Sequence, residues 1–278
     1  MDTINAKTVM FSSFISGYWQ ICSMNAENGA FIVLTDSKYD KRKASCNKKC
    51  EIITYATNNG DIFQMNIDPK ISKKLDLPTK RNSEPAWSFD GKKFVYTSYT
   101  NPKDFKSDIY LASFGKDRIN STKLIIPNGL KSFPCWQPES KSIYYSRFIE
   151  LGQNGAKENI CQYNLKNEKE KTIISDGYDN THPTWSSDGK YLAYSSNKRG
   201  NFDIYLWCPE NDTHTQITDD PAMDTCPAWS HDNKSLAFVS ARTGKKQIWL
   251  VDVNYHKEKQ LTFGKNPCKD PLWGKEKE

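Results

Sequence analysis

Five Pro-x-Trp triplets punctuate this 278-residue sequence, at Pro85/Trp87, Pro134/Trp136, Pro183/Trp185, Pro227/Trp229 and Pro271/Trp273. Just before the prolines stand Glu84, Phe133, His182, Cys226 and Asp270; three residues before them stand Asn82, Lys131, Asn180, Asp224 and Cys268. Several of these side chains can do chemistry if the fold brings them to one axis. Glu84, His182 and Asp270 could share a cation: His and Cys favour zinc or another transition metal, while carboxylates and Asn favour calcium. The same side chains would also suit a water-filled channel without any ion, or contact with a partner through Glu84, Phe133, His182, Asp224, Cys226 and Asp270. Catalysis is the third use open to them.

The elements that must position these residues are short strands. In residues 181–218, runs rich in Tyr, Leu, Ile and Trp alternate with Asn, Asp and Gly clusters, the pattern of β-strands separated by turns. Asp188-Gly189 between two such runs predicts a two-residue type I′ hairpin, which needs positive φ at both central residues. The stretch reads as a four-stranded meander over 182–187, 191–196, 202–208 and 213–218. It recurs, since the Trp spacings are 49, 49, 44 and 44 residues and Asp-Ile-Tyr-Leu returns at 108–111 and 203–206. A four-stranded unit of this period is a propeller blade.

The ends predict how the ring closes. Residues 271–273 begin a unit that the chain does not finish, and Thr8–Ser13 matches Tyr191–Ser196. The first blade therefore takes its inner strand from the C-terminal end and its other three from the N-terminal end, which leaves no open sheet edge. A weaker unit lies 42 residues before Trp87, at Ser45. The reading is all-β: a single six-bladed β-propeller over 1–278, four antiparallel strands per blade. Blade one is 9–35 plus 269–273, and the others are 44–77, 83–126, 132–174, 181–218 and 225–262.

The repeat Pro-x-Trp-Ser-x-Asp-Gly-Lys, followed by an aromatic strand and Asp-Ile-Tyr-Leu, resembles the TolB β-propeller family over residues 9–273. The resemblance is to the propeller alone, since nothing here matches the α/β domain that precedes it in TolB itself. It implies a non-catalytic module in the periplasm or cell envelope. Its channel mouth would take up peptide segments of envelope partners, such as a peptidoglycan-associated lipoprotein or an inner-membrane Tol protein. Partner segments would meet Glu84, His182, Asp224 and Asp270. Some related propellers resemble oligogalacturonate lyases, which hold a metal in the channel, so a metal-dependent lyase or hydrolase is the alternative. A structural subunit of a larger complex is another.

Bulk properties agree with one solvated all-β domain. Apolar residues make up 37%, and the formal charge of +6 is spread along the chain. No apolar run is long enough to span a membrane. No charged-then-apolar signal peptide opens the sequence, so it reads as cytosolic or as a mature form. A monomer is expected. The basic stretch 36–50 mixes in acidic residues and reads as a solvated inter-blade loop rather than a nucleic-acid site.

Of eight cysteines, Cys22 and Cys161 fall at strand positions suited to small buried side chains. Cys46 and Cys50 suit a local disulfide, since a metal would need a second ligand pair. Insertions at 101–107 and 150–158 predict a raised rim at the channel mouth. Neither a Gly-x-Ser-x-Gly elbow nor His-Glu-x-x-His is present. Of the four histidines only His182 aligns with the channel. Trp87, Trp136, Trp185, Trp229 and Trp273 read as wedges between blades, because burying large rings dominates core energetics.

Overall fold

The computed structural model describes residues 7–47, 49–101, 106–115, 118–124, 126–127, 129–150 and 156–274. These form six antiparallel sheets of four strands, arranged as a six-bladed propeller, with no helix among the described residues. The inner strands are Lys41–Cys46, Asn82–Trp87, Lys131–Trp136, Asn180–Trp185, Asp224–Trp229 and Cys268–Trp273. The last of these pairs with Thr8–Ile15, so one sheet joins the two ends of the chain. Five joints between blades follow from sequence continuity, and this shared sheet supplies the sixth.

The apolar core is divided among the joints. Trp229, Leu236 and Phe238 of blade six pack on Ala193, Ile204 and Ile217 of blade five. Trp185, Leu192 and Tyr194 pack likewise on Tyr144, Ile160 and Ile174 of blade four. The five tryptophans are between 2% and 9% exposed, as wedges must be. Two also tie backbone to ring: Trp136 Nε1 donates to Ala86 O at 2.9 Å and Trp229 Nε1 to Thr184 O at 3.2 Å. Each of those carbonyls belongs to the preceding blade. Cys22 and Cys161 are fully buried in these clusters.

Two local expectations are corrected. The Asp-Gly turns are not type I′: φ is positive at Gly91, Gly189 and Asn233 but not at the preceding aspartates. The loop runs instead from Ser186 to Tyr191, closed by a 2.9 Å backbone bond between them. Asp188 Oδ1 accepts from Ser186 Oγ at 2.7 Å and Lys190 N at 3.1 Å, a side-chain bridge that holds the first residues in ordinary turn geometry.

Blade two begins at Lys41, ahead of the expected 44. Cys46 faces Ile53 as Trp87 faces Phe94, so Cys46, not Ser45, takes the tryptophan's place. The register was displaced by one because neither proline nor tryptophan marks this blade. Cys46 and Cys50 are disulfide-bonded, with Cα atoms 4.9 Å apart, which ties the first hairpin where the indole is missing.

Trp185 meets Tyr144 edge-on at 5.0 Å and Trp207 at 6.2 Å. Trp185→Ala is expected to lower stability by about 3–5 kcal/mol in urea unfolding, as other large-to-small core changes do. A loss well below about 1 kcal/mol would contradict the wedge role.

Candidate functional site

Every inner strand breaks register at the same level, between Arg42 and Ser45, Ser83 and Ala86, Ser132 and Cys135, Thr181 and Thr184, Thr225 and Ala228, and around Asp270 in blade one. The residue at the start of each bulge has positive φ: Lys43 53°, Glu84 54°, Phe133 52°, His182 54°, Cys226 58° and Asp270 54°. In five blades the next residue is proline, which has no N–H to give the ladder and is tolerated at a bulge. The left-handed backbone costs a non-glycine residue roughly 1–2 kcal/mol.

Bonds to the preceding blade offset that cost. Phe133 N donates to Glu84 Oε2 at 2.8 Å, and Lys43 N to Asp270 Oδ2 at 3.3 Å. His182 N donates to Ser146 Oγ and Cys226 N to Ser195 Oγ, both at 3.2 Å.

The six bulge residues line a cavity of about 280 Å³. Its walls are the prolines and small residues that follow, including Pro85, Ala86, Pro134, Pro183 and Ala228. It continues toward the turns between inner and second strands, where Phe89, Ser187, His231 and Gly274 border it. Four expected positions change accordingly. Asp224 does not line this cavity: it sits two residues before the bulge, fully buried, accepting from Arg242 Nη2 at 2.7 Å.

His231 corrects the expectation that His182 alone among the histidines faces the channel, since it lies in the turn after Trp229, which borders the cavity. The insertions lengthen the hairpins Lys93–Asn101/Lys106–Phe114 and Ser142–Glu150/Ala156–Asn164, at the opposite end of the strands, because alternate turns of a meander fall on alternate faces. Their tips, 102–105 and 151–155, lie outside the described residues. Glu84, His182 and Asp270 share the cavity, yet no three His, Cys, Asp or Glu side chains gather to hold a metal ion among the described residues.

A family model described as the TolB beta propeller domain matches residues 100–278. The chain belongs to the TolB β-propeller family. The Tol-Pal system protein TolB of Francisella tularensis subsp. tularensis is 25% identical over 219 residues, covering 77% of this chain and 48% of that protein. The chain thus spans about half the length of the curated relatives it matches. The crystal structure of TolB from Acinetobacter baumannii superposes with a TM-score of 0.81 at 14% identity, over 97% of this chain and 67% of that one. An oligogalacturonate lyase in complex with manganese reaches 0.62 at 14% identity, over 92% and 73%, and shares the fold alone.

In this TolB-family propeller the cavity's charge is organised by Lys43, which the sequence reading missed. Its Nζ lies 2.9 Å from Asp270 Oδ1 and 4.4 Å from the Phe133 ring centre. Burial alone would depress the ammonium, but Asp270, with Cys226 and Glu84 behind it, outweighs that and holds its pKa above the ordinary lysine value. Burial would raise Asp270, yet Lys43 and Lys269 keep it below the usual carboxylate range.

Glu84 goes the other way. Burial pushes it up despite Lys43 and the bonds from Phe133 N and Thr97 Oγ1, the latter at 3.1 Å. His182 stacks on Phe133 with ring centres 3.6 Å apart, and burial together with Lys43 holds it well below its ordinary pKa, as the neutral imidazole. Burial raises the Cys226 thiol. Lys43 was hidden because Ala44 replaces the proline that would have marked it.

A second overlooked residue is Glu158, on the other side of the bulge ring. Its Oε1 accepts from Ser132 Oγ at 3.2 Å, and burial pushes its pKa up to about 7. Two outcomes follow. Lys43→Met is expected to cost about 3 kcal/mol in urea unfolding by leaving Asp270 buried and unpaired, with Asp270→Asn in the same chain recovering most of it; additive losses would deny the pairing.

Glu158 is raised in the folded state, so its contribution is fully present below the unfolded value near 4.3 and is lost as pH climbs to about 7. Glu158→Gln should therefore flatten the fall in melting temperature across that window. An unchanged slope would count against the assignment.

Proposed function

We propose that this chain is a non-catalytic binding module that takes a peptide segment of a protein partner into the central cavity. The observation that carries the reading is the cavity itself. Its walls are apolar, and at its end stand four polar groups, Lys43, Asp270, Glu84 and His182, with the Phe133 ring among them. Such a site buries an apolar side chain while its few polar groups fix orientation. Membership in the TolB β-propeller family supports a protein partner. An envelope location agrees with the Cys46–Cys50 disulfide, since disulfides persist in oxidising compartments.

The chemistry of the ring favours binding over catalysis. A nucleophilic cysteine needs a depressed pKa, and burial raises Cys226. Related lyases are fold neighbours only, and Lys43 already places a positive charge against Asp270.

The test uses immobilised wild type beside a Phe133→Ala/His182→Ala variant, with envelope and soluble fractions of the source cell passed over each. The variant removes the stacked pair while keeping the Lys43–Asp270 ion pair, and a matching thermal melt verifies its fold. A protein held by wild type and lost with the variant supports the reading. Equal retention by both moves the contact surface elsewhere on the disc.

A further inference from the structure

The opposite mouth of the ring, where inner strands begin and second strands turn into third, carries a charged surface that the cavity does not use. A run of contacts builds it between blades six and one. Cys268 N donates to Lys246 O at 2.7 Å, Lys245 Nζ to Lys265 O at 3.0 Å and Phe14 N to Pro267 O at 3.1 Å. Lys269 Nζ lies 3.9 Å from the Trp19 ring centre, and Trp19 meets Phe14 edge-on at 5.6 Å. The 241–246 turn, the 263–267 loop and the turn between Ile15 and Tyr18 thus form one continuous surface. Blade two extends it. Lys43 N bonds to Asp270 Oδ2 at 3.3 Å, which sets the strand Lys41–Cys46 beside Cys268–Trp273. Arg42 and Lys269 each stand one residue before their bulge, on these neighbouring inner strands.

This surface is rich in cations and short of counter-charge. Lys245, Lys246 and Lys265 are exposed, while Arg42 and Lys269 are half-buried at the mouth. Of the nearby carboxylates, Asp270 is taken by Lys43 at 2.9 Å, and Asp40 accepts from Trp19 N at 3.0 Å. Asp36 is exposed on the same loop as Asp40. Among the described residues the Arg42 guanidinium has neither a hydrogen bond nor an ion pair. Lys269 rests on an indole. Burial holds its pKa below the ordinary lysine value; Asp270 opposes that, and Arg42 and Lys43 reinforce it.

Across the mouth the sign reverses. Glu158 N donates to Asp179 Oδ1 at 3.1 Å, which brings two acidic residues together on the side of blades four and five, with Lys157 Nζ 3.8 Å from Asp179. A long polyanion such as a nucleic acid is repelled there, and again by Asp36 and Asp40. A flat bilayer reaches the exposed lysines but not the half-buried Arg42 and Lys269. A short acidic protein segment reaches all five cations and stays clear of the far side. Apolar contact is on offer beside the charge, since Phe14 is 38% exposed and Phe263, on the loop of Lys265, is 72% exposed. Aromatic rings and arginine are enriched where proteins meet proteins.

We propose that this second mouth docks an acidic protein segment, its carboxylates on Arg42, Lys269 and the Lys245–Lys246 turn and its apolar side chains on Phe14 and Phe263. Complementary charge of this kind sets the rate of encounter and the choice of partner more than the final affinity. The surface is separate from the central cavity and serves whether or not the cavity takes a peptide.

The test measures fluorescence anisotropy of a labelled peptide of repeating Glu-Phe-Glu units, titrated with the full chain at low salt. The same peptide with Gln for Glu is run beside it. Two variants strip the mouth: Arg42→Gln/Lys269→Gln, and Lys245→Gln/Lys246→Gln. The second alters exposed positions only and decides the matter if a thermal melt shows the first to be misfolded. Lys190→Gln/Lys234→Gln removes the same charge from the turns that border the cavity, and Phe133→Ala/His182→Ala alters the cavity itself.

Wild type should bind the acidic peptide with a micromolar Kd that weakens as salt is added, and should ignore the Gln peptide. Each folded mouth variant should bind about tenfold more weakly, and the other two variants as wild type does. No binding below about 1 mM overturns the proposal. Equal loss with Lys190→Gln/Lys234→Gln overturns it too, since net charge alone would then explain the binding. Loss with Phe133→Ala/His182→Ala but not with the mouth variants would send the peptide to the cavity and also overturns it. Phosphatidylglycerol vesicles and a single-stranded oligonucleotide complete the set. Either one binding more tightly than the peptide, and released by the mouth variants, would give the surface to that polyanion and overturn the protein partner.

Discussion

Everything in this ring depends on one bulge per inner strand. The bulge forces a non-glycine residue into left-handed backbone and turns its amide out of its own sheet. That amide must find an acceptor, and at four joints it finds one on the preceding blade, at Asp270, Glu84, Ser146 or Ser195. The same distortion aims the side chain at the central axis. A single backbone irregularity thus links blade to blade and furnishes the cavity, so the identity of the bulge residue is partly released from packing. The residues found there, from lysine to phenylalanine, reflect that freedom.

Around this skeleton the joints share a plan but differ in chemistry. Apolar wedges fill each joint, and the residue two before the bulge is buried everywhere and polar in all but blade one, where it is Cys268. In blade two the wedge is a disulfide-bonded cysteine rather than an indole. Lys41, in a stretch that reads as a solvated loop, and Lys131 are buried and capped by main-chain carbonyls: Ser37 O and Tyr39 O for the first, Ser107 O for the second. The ring tolerates such variation because each joint needs only local complementarity.

Much of this was legible in the sequence because Pro, Trp and Asp-Gly mark fixed places in each blade. Five bulge residues could be read as those preceding proline, and Trp185 and its counterparts as wedges. Where the markers lapse, so does the reading: Ala44 hid Lys43, and the alignment slipped by one in blade two. Asp224 was placed at the mouth because linear proximity to proline does not say which side of the bulge a side chain takes. Glu158 was invisible for another reason, since its partner Ser132 is 26 residues away. The face on which the cavity opens follows from three-dimensional alternation of turns, and no local motif encodes it.

The seam that closes the ring also has a direction. Thr8–Ile15 and Cys268–Trp273 run antiparallel, and Gly274 N bonds to Thr8 O at 2.7 Å, so Thr8 and Gly274 lie at the same end of the paired strands. Traction at Thr8 and Gly274 therefore loads the rungs one after another, Val9–Trp273 first and Ser13–Cys268 last, like a zipper rather than a lap joint. That line is held by the ladder between the two strands and by the packing of Trp273. Peeling it withdraws Trp273 from the joint with blade six before any other wedge moves.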